Sequence, residues 1–175
     1  MIARLSRHQR DEFEAVALTQ LDALVRSATR LCDSREEAED AVQETYLQAW
    51  KYWRSFQKGT NCRAWLFRIL FNVIHKRAVK EAALIPIEEP KVIDLLRLDP
   101  QTSFDKLEVL EVFDQLSIEH REVILLVGVE EMSYKDAANV LEVPMGTVMS
   151  RLNRARTQLR QRLGYGHVRS CVKDQ

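Results

Sequence analysis

The sequence predicts an all-α protein made of two small helical domains joined by a flexible linker, with a helix-turn-helix in the second domain. Only five glycines and four prolines occur in 175 residues, and apolar side chains recur every three or four positions, which is the period of a helix and not of a strand. Three of the prolines fall between residues 81 and 103, where no period is sustained. This stretch therefore separates the two domains.

Two helices are predicted in the first half of the first domain. The first spans about 11–31, and its apolar stripe consists of Phe13, Val16, Ala17, Leu21, Leu24, Val25, Ala28 and Leu31. The second helix begins at Arg35, because Ser34 and Glu37 have the spacing of a capping box. One polar stripe of this second helix contains a leucine and comprises Asp40, Gln43, Glu44, Leu47 and Lys51.

A third helix is predicted after the loop 57–61. Gly59 interrupts the helical pattern, and Thr60 or Asn61 is placed to cap a helix that runs to about Lys80. That helix is apolar around most of its circumference. It is therefore either buried or equipped with a second binding face.

The domain boundaries follow from the change in composition. The first domain is expected over 1–80, an acidic linker over 81–103, the second domain over 104–163 and a tail over 164–175. A linker of some 20 residues without clear structure would be unusual inside one compact domain, so it favours two domains.

The second domain contains the most specific pattern in the chain. Ser133 and Asp136 repeat the cap spacing and open a short helix to Leu141, and three residues later a longer helix follows. The inward positions of the longer helix are Val148, Leu152, Ala155 and Leu159. Two helices joined by so short a turn form a helix-turn-helix.

Charge is strongly segregated, although the formal net charge is zero. Residues 1–80 carry 14 basic and 10 acidic groups, 104–142 carry 3 and 10, and 143–175 carry 7 and 1. A division of this kind indicates an acidic scaffold beneath a basic DNA-reading helix.

Residues 45–80 combine eight basic side chains, no acidic one and eight of the thirteen aromatic rings. A positive groove tracks phosphates, and aromatic faces stack on unpaired bases at about 1–3 kcal/mol each, so the segment is typical of a single-strand surface. A well-packed helical core with a solvated basic rim explains this segment alone equally well. Asn72, within a turn of Lys76, is either a hydrogen-bonded structural residue or one that reads the edge of a base.

Several classes of protein are disfavoured. Cys32, Cys62 and Cys171 are far apart and suggest free thiols rather than disulfides or a metal site. The four histidines are scattered, so an enzyme is the weakest interpretation, and no metal or other cofactor is expected. The N-terminus lacks an apolar leader and no run approaches the roughly 18 apolar residues of a membrane span, so we expect a soluble cytoplasmic protein.

Three segments together resemble bacterial RNA polymerase sigma factors of the extracytoplasmic-function (ECF) group of the sigma-70 family. They are EEAEDAVQETYLQAW, NCRAWLFRILFNVIHKRAVK and the stretch 133–163, and the resemblance covers roughly 10–80 and 104–163. It implies a promoter-specificity factor without catalytic activity. Such a factor binds core RNA polymerase, recognises the minus-ten and minus-thirty-five promoter elements and promotes DNA melting.

The resemblance also implies roles for individual residues. The polymerase's coiled-coil clamp helices would contact Asp40, Gln43, Glu44 and Leu47. The minus-ten element, with a flipped non-template base, would contact Lys58, Gly59, Thr60, Asn61, Trp65, Arg68, Asn72 and Lys76. The minus-thirty-five element would be read in the major groove by Met149, Ser150, Asn153 and Arg154, with phosphates on Arg151 and Arg156. An anti-sigma protein is a further implied partner.

Relatives commonly have Lys or Arg where this chain has Met149, so apolar contact replaces guanine readout there.

Two rival hypotheses remain at this point. A helix-turn-helix regulator that binds duplex DNA without polymerase would leave the basic, aromatic segment and the DAVQE helix without a role. An interaction module would use the acidic 104–142 face as its main surface.

Overall fold

The computed structural model describes residues 6–57, 59–82 and 104–163, and the regular structure of these residues is entirely helical. The first domain contains α1 (Arg7–Ala17), α2 (Leu21–Leu31), α3 (Arg35–Tyr52) and α4 (Cys62–Ala82). The second domain contains α5 (Phe104–Asp114), α6 (Ile118–Val123), α7 (Tyr134–Leu141) and α8 (Met145–Arg162). The predicted all-α class and the helix-turn-helix are confirmed.

The single helix predicted over 11–31 is wrong, because two helices occupy this part of the chain. Helix α1 begins at Arg7, four residues before the predicted start, and Ser6 caps it. The Ser6 hydroxyl accepts from the Gln9 N–H at 3.3 Å, and the Ser6 N–H donates to the Gln9 side chain at 3.0 Å. A 3-10 turn at Leu18–Gln20 then separates α1 from α2. The Thr19 hydroxyl donates to the Val16 carbonyl at 2.8 Å within this break.

The start of α3 is confirmed, since the Ser34 hydroxyl accepts from the Glu37 N–H at 3.1 Å. The Glu37 carboxylate reaches back to the N–H of Asp33 at 3.1 Å. Arg77, late in α4, donates to the Asp40 carbonyl, early in α3, at 3.1 Å, so the two helices run antiparallel. Between them, Gly59 adopts a φ of +85°, a left-handed conformation that favours glycine.

Helix α4 is buried on two sides, which explains why it is apolar around most of its circumference. Leu66, Leu70 and Val73 are almost fully buried, and so are Phe67 and Phe71. The helix packs against α2 and α3 of its own domain and against α7 of the second domain. It therefore joins the two domains in a continuous core.

The helix that begins after Ser117 changes character halfway. Residues Ile118–Val123 are α-helical, but Ile124–Val129 form a π-helical segment. The N–H of Glu130 accordingly donates to the Leu125 carbonyl, five residues back, at 2.8 Å. Wider turns of this kind displace the following side chains around the helix axis.

The helix-turn-helix is closed by local contacts. The Ser133 hydroxyl accepts from the Asp136 N–H at 3.0 Å and so caps α7. Glu142 ends α7 with a φ of 54°, and Pro144 leads into α8. The inner face of α8 is buried at Val148, Leu152 and Ala155, as predicted.

The linker predicted over 81–103 lies outside the described residues after Ala82, which still belongs to α4. The predicted tail, 164–175, lies outside them as well. The first described helix after this gap, α5, begins at Phe104, and the predicted domain boundaries stay a prediction.

Candidate protein and nucleic-acid interfaces

A shallow groove of about 670 Å³ lies between α2 and α3 on the outer side of the first domain; we call it the α2–α3 groove. Four aliphatic side chains of its lining are strongly exposed, namely Leu18 (46%), Leu21 (41%), Val25 (37%) and Leu47 (57%). Exposed aliphatic groups gathered in one groove indicate a surface that binds another protein.

The four predicted polymerase contacts lie on α3, and two of them line this groove. Asp40, Gln43 and Leu47 are exposed and Glu44 is half-buried. Their spacing of three and four places them on one face of the helix. Gln43 and Leu47 line the groove itself, and the Glu44 carboxylate accepts a hydrogen bond from Gln48 Nε2 at 2.9 Å. The structure therefore brings all four predicted residues together.

Tyr46 fixes the position of α3 beside α1. Its hydroxyl donates to the Ala17 carbonyl at 3.0 Å, at the point where α1 ends. Burial, with smaller contributions from Cys62 and Asp22, raises the pKa of Tyr46 to about 12. The hydroxyl therefore stays protonated at neutral pH and keeps this hydrogen bond.

Five of the predicted minus-ten residues form a single stripe along α4. They are Asn61, Trp65, Arg68, Asn72 and Lys76, each three or four positions from the next. Arg68, Asn72 and Lys76 are exposed. Asn61 has a structural task as well, because its Oδ1 accepts from the Ala64 N–H at 3.1 Å and caps the helix.

The loop before α4 is a tight turn. The Thr60 hydroxyl and the Thr60 N–H both donate to the Gln57 carbonyl, at 2.7 and 3.1 Å. Apart from the neighbours of Gly59 in the chain, no described residue has an atom within 4 Å of the position that a Cβ on Gly59 would occupy, so the loop is open there. Lys58 lies outside the described residues.

Most aromatic rings of residues 45–80 belong to the core. Trp53, Phe67 and Phe71 are at most 5% exposed, and Trp65 packs against Phe56 with ring centroids 5.0 Å apart. Tyr52 alone among the eight rings is strongly exposed, at 51%. The interpretation of a packed core with a basic rim is confirmed for the rings, and the expectation of a broad stacking surface is wrong. Burying such large apolar rings stabilises the core, which favours packed rings over exposed ones.

Three carboxylates of the second domain contact two arginines and a histidine of α4. We call Glu122, Glu130 and Glu142 the interdomain carboxylates; they pair with His75, Arg63 and Arg68 respectively. Glu122 and Glu130 are each 2% exposed. The hydrogen bond from Glu122 raises the pKa of His75 against the opposing effect of burial.

Glu130 receives further partners from α2. Arg26 Nη2 and the Ser27 hydroxyl both approach its carboxylate at 3.4 Å. A cavity of about 590 Å³ lies between the domains beside the pair of Glu122 and His75, and it is also lined by Arg121 and Arg151. The two domains are thus held together by ion pairs as well as by apolar packing.

The outward face of α8 carries five of the six predicted minus-thirty-five residues. Met149, Ser150, Asn153, Arg154 and Arg156 are exposed. The sixth residue, Arg151, is half-buried and lines the interdomain cavity, so the structure directs it toward the first domain rather than outward.

Sequence reasoning missed two sets of residues in these surfaces. Leu18, Leu21 and Val25 were placed in the core or left unassigned, and the polar pair Thr19 and Gln20 was the available signal for the break that exposes them. Nothing in the local sequence marked Glu122 and Glu130 as buried, because their partners lie far away in the chain.

The described residues contain no helix long and apolar enough to cross a membrane. Within the same residues, no group of three or more His, Cys, Asp or Glu is arranged to hold a metal ion. Cys62 is a free thiol. Burial raises the pKa of Cys62 to about 11, so this thiol stays protonated near neutral pH.

Comparison with known proteins places both domains in one family. The sigma-70 region 2 family model matches residues 18–83, and the sigma-70 region 4 model matches residues 106–159. Among curated relatives, the ECF RNA polymerase sigma factor EcfG of Rhodopseudomonas palustris is 35% identical over 81% of this chain and 80% of its own length. SigW, an ECF sigma factor of Bacillus subtilis, is 26% identical over 93% of this chain and 94% of its own.

Solved structures give the same result. The sigma factor RpoE of Bartonella quintana, in complex with the anti-sigma factor NepR, is 33% identical with a TM-score of 0.73, covering 89% of this chain and 98% of that one. CnrH, in complex with the cytosolic domain of CnrY, is 26% identical with a TM-score of 0.66, covering 90% of each chain. With both family regions present and in order, the chain belongs to the sigma-70 family as an ECF sigma factor.

Proposed function

We propose that this sigma factor binds core RNA polymerase through the α2–α3 groove and the adjoining face of α3. One observation carries the proposal: Gln43 and Leu47 line the groove together with its exposed aliphatic side chains, and Asp40 and Glu44 lie on the same face of α3 as these two residues. A surface of this kind suits a partner helix that has an apolar face and basic flanks. The coiled-coil clamp helices of the polymerase are the proposed partner.

The exposed stripe of α4 is the proposed surface for the minus-ten element. Asn72 offers an amide donor and acceptor for the Watson–Crick edge of an unpaired base, and Lys76 and Arg68 offer charge to the phosphates. Gly59 and Thr60 form the open loop beside this stripe. Exposure of the polar residues of α4 supports this role, whereas most aromatic rings support the core.

The outward face of α8 is the proposed reader of the minus-thirty-five element. Asn153 and Arg154 are exposed in the first half of the helix, where helix-turn-helix proteins contact base edges. Arg156 is placed for a phosphate, and Met149 for an apolar contact such as a thymine methyl group. Because Arg151 lines the interdomain cavity, we expect it to contact a phosphate only after the two domains have moved apart.

An anti-sigma protein is a further proposed partner, because the relatives RpoE and CnrH were solved in complex with NepR and with the cytosolic domain of CnrY. We place the protein in the cytoplasm with the polymerase and assign it no catalytic activity of its own.

The proposal is tested by titrating fluorescently labelled protein with core RNA polymerase in the absence of DNA. We expect Asp40→Ala, Glu44→Ala to weaken binding about tenfold, which corresponds to a loss of about 1.4 kcal/mol. The matched control, Glu14→Ala, Glu111→Ala, removes two exposed carboxylates that belong neither to α3 nor to the groove lining and should bind like the wild type. Equal binding by both variants would contradict the assignment of the groove.

A further inference from the structure

Both domains contribute to the wall of the cavity of about 590 Å³ that lies between them. Its aliphatic lining comes from Leu31, Ile74 and Val79 in the first domain and from Ile118, Leu141 and Val143 in the second. Small-molecule sites usually have volumes of about 300–1,000 Å³ and are common where domains meet. The cavity is therefore large enough for a ligand and has an apolar surface on which a ligand can pack.

The acidic side chains at the cavity are either paired or open to water. Glu122 pairs with His75, and the Glu37 carboxylate accepts from the Asp33 N–H at 3.1 Å. Asp33 and Glu119 are exposed, so water weakens the interactions of their charges. Among the described residues, the cavity thus presents no buried carboxylate that lacks a partner.

Two of the arginines that line the cavity are held by other parts of the protein. Arg77 donates to the Asp40 carbonyl at 3.1 Å and lies 3.9 Å from the Asp40 carboxylate. Nη1 of Arg121 donates to the Arg30 carbonyl at 3.3 Å. These contacts fix both guanidinium groups at the wall of the cavity.

Arg151 differs from these two arginines. It lies in the first half of α8, is half-buried and lines the cavity. Among the described residues, its side chain makes no hydrogen bond and no ion pair. A guanidinium is weakly hydrated and presents a rigid fork of N–H donors that matches the two oxygens of a carboxylate. Arg151 is therefore the side chain in this cavity that is free to hold an anionic group.

Glu119 limits the charge that such a ligand can carry. Hydrogen bonds from its own N–H and from the Ser117 hydroxyl, with a smaller contribution from Arg151, lower the pKa of Glu119. Its carboxylate is therefore ionised at neutral pH and lines the same cavity as Arg151. A ligand with several negative charges would be repelled by Glu119, whereas a single charged group can be accepted by Arg151.

We propose that the interdomain cavity binds an amphipathic organic monoanion, whose carboxylate contacts Arg151 and whose apolar chain packs on the aliphatic lining. Medium-chain fatty acids belong to this chemical class. The cavity shares no lining residue with the α2–α3 groove, so the site does not depend on the proposed function.

A ligand in this cavity contacts both domains at once. Ile74 and Val79 belong to the first domain, and Ile118 and Arg151 belong to the second, so the site is complete only while the domains are packed together. Binding therefore stabilises the packed arrangement by an amount that rises with the concentration of the ligand. In this way the protein responds to the level of an amphipathic acid.

The test is isothermal titration calorimetry of the full chain with decanoate, a medium-chain carboxylate. Acetate has the same charged group without the chain, and decanol has the chain without the charge. We expect each of these two compounds to bind about tenfold more weakly than decanoate, or weaker still. The midpoint of thermal unfolding, which should rise with the decanoate concentration, provides an independent measurement.

Two variants alter the cavity from opposite sides. Arg151→Gln removes the charge and keeps a polar side chain, and it should weaken decanoate binding about tenfold. Ala78→Trp fills the cavity from an exposed position of the first domain and should weaken binding at least as much. Arg160→Gln, which is exposed on α8 outside the cavity lining, is the matched control and should bind decanoate like the wild type. Circular dichroism establishes that each variant is folded.

The α2–α3 groove is another apolar site that decanoate can enter, and Leu21→Ser, at an exposed position of that groove, distinguishes the two sites. Wild-type affinity in Leu21→Ser supports the cavity. Three results would overturn the inference: no binding of decanoate to the wild type, equal affinities of Arg151→Gln and Arg160→Gln, or loss of binding in Leu21→Ser without loss in Ala78→Trp. Failure of the proposed polymerase surface is seen separately, because the titration with Asp40→Ala, Glu44→Ala contains no ligand and alters no residue of the cavity lining.

Discussion

The two basic helices α4 and α8 use similar residues in opposite ways. On α4, Arg63, Arg68 and His75 are paired with carboxylates of the second domain. On α8, Arg154 and Arg156 are exposed to solvent. A count of basic residues treats the two helices alike. While the two domains are packed together, an arrangement we call closed, the charge of α8 is accessible, whereas much of the charge of α4 is paired with carboxylates of the second domain.

The helices also differ in how they are packed. Helix α8 is buried along one face at Val148, Leu152 and Ala155, and its other face is open. Helix α4 is buried on two sides and joins both domains. Separation of the domains therefore uncovers part of α4 and leaves the outer face of α8 unchanged.

The largest effect is expected from a substitution in α4, the helix that packs against elements of both domains. Phe67→Ala removes a fully buried ring of α4 and should lower the free energy of unfolding by about 3–5 kcal/mol. Urea denaturation followed by far-UV circular dichroism measures the change. Val79→Ala, on the same helix but 70% exposed, is the control and should cost less than about 0.5 kcal/mol. Similar losses in both variants would show that α4 is not the shared core of the domains.

The next effect concerns α8. Arg154→Ala should weaken binding of the reconstituted holoenzyme to a promoter selected from a random pool by about 1–3 kcal/mol if the guanidinium contacts a base. Gel-shift titrations with minus-thirty-five variants measure it. Arg156→Ala serves as the comparison, since a phosphate contact should lower affinity evenly across sequences. A sequence-independent effect of Arg154→Ala would reassign that residue to the phosphates.

A smaller effect is expected on α4. Asn72→Ala should reduce promoter opening by about 1 kcal/mol, the usual value of one hydrogen bond, and leave polymerase affinity unchanged. Fluorescence of 2-aminopurine in the melted region reports opening. Asn72 is a better choice for this test than Trp65, because the Trp65 ring also packs against Phe56. Its removal would therefore lower the stability of the fold as well. Parallel losses of opening and polymerase binding would sink the assignment.

The smallest effect is a pH dependence of the closed state. The pKa of His75 is raised from 6.5 in the closed protein, mainly by its hydrogen bond to Glu122. A raised pKa stabilises the closed state fully below about 6.5, and this contribution is lost as the pH rises through the raised value. Other charged groups lining the same cavity are Asp33, Glu37, Arg77, Glu119, Arg121 and Arg151.

The radius of gyration, measured by X-ray scattering at low ionic strength from about pH 5.5 to 8.5, should therefore increase with pH. His75→Gln keeps a polar side chain without the titration and should remove that trend. A radius that increases toward acid pH would mean that another group controls the equilibrium.

Local patterns predicted much of this fold correctly. Ser34 and Ser133 cap their helices as the spacing indicated, because a cap depends on residues three positions away. The turn at Leu18–Gln20 and the π-helical segment Ile124–Val129 were not predicted, since both depend on how distant helices pack. Periodicity alone cannot report such interactions.

The candidate surfaces were predicted in part for the same reason. The α3 face with Asp40, Gln43, Glu44 and Leu47 could be identified, because a leucine in a polar stripe is a local signal. The opposite wall of the groove, with Leu21 and Val25, could not, since the direction of α1 determines their exposure. The pairing of Glu130 with Arg63 spans 67 positions and needs the tertiary structure.

Glu142 stabilises the contact between the two domains, but its backbone conformation destabilises the turn of its own domain. Its left-handed backbone, with a φ of 54°, costs a residue other than glycine about 1–2 kcal/mol. Glycine at this position would make the helix-turn-helix more stable as an isolated unit, and it would remove the carboxylate that holds Arg68. Engineering for thermal stability at this turn would therefore be expected to produce a second domain that is more robust and a sigma factor that is less closed.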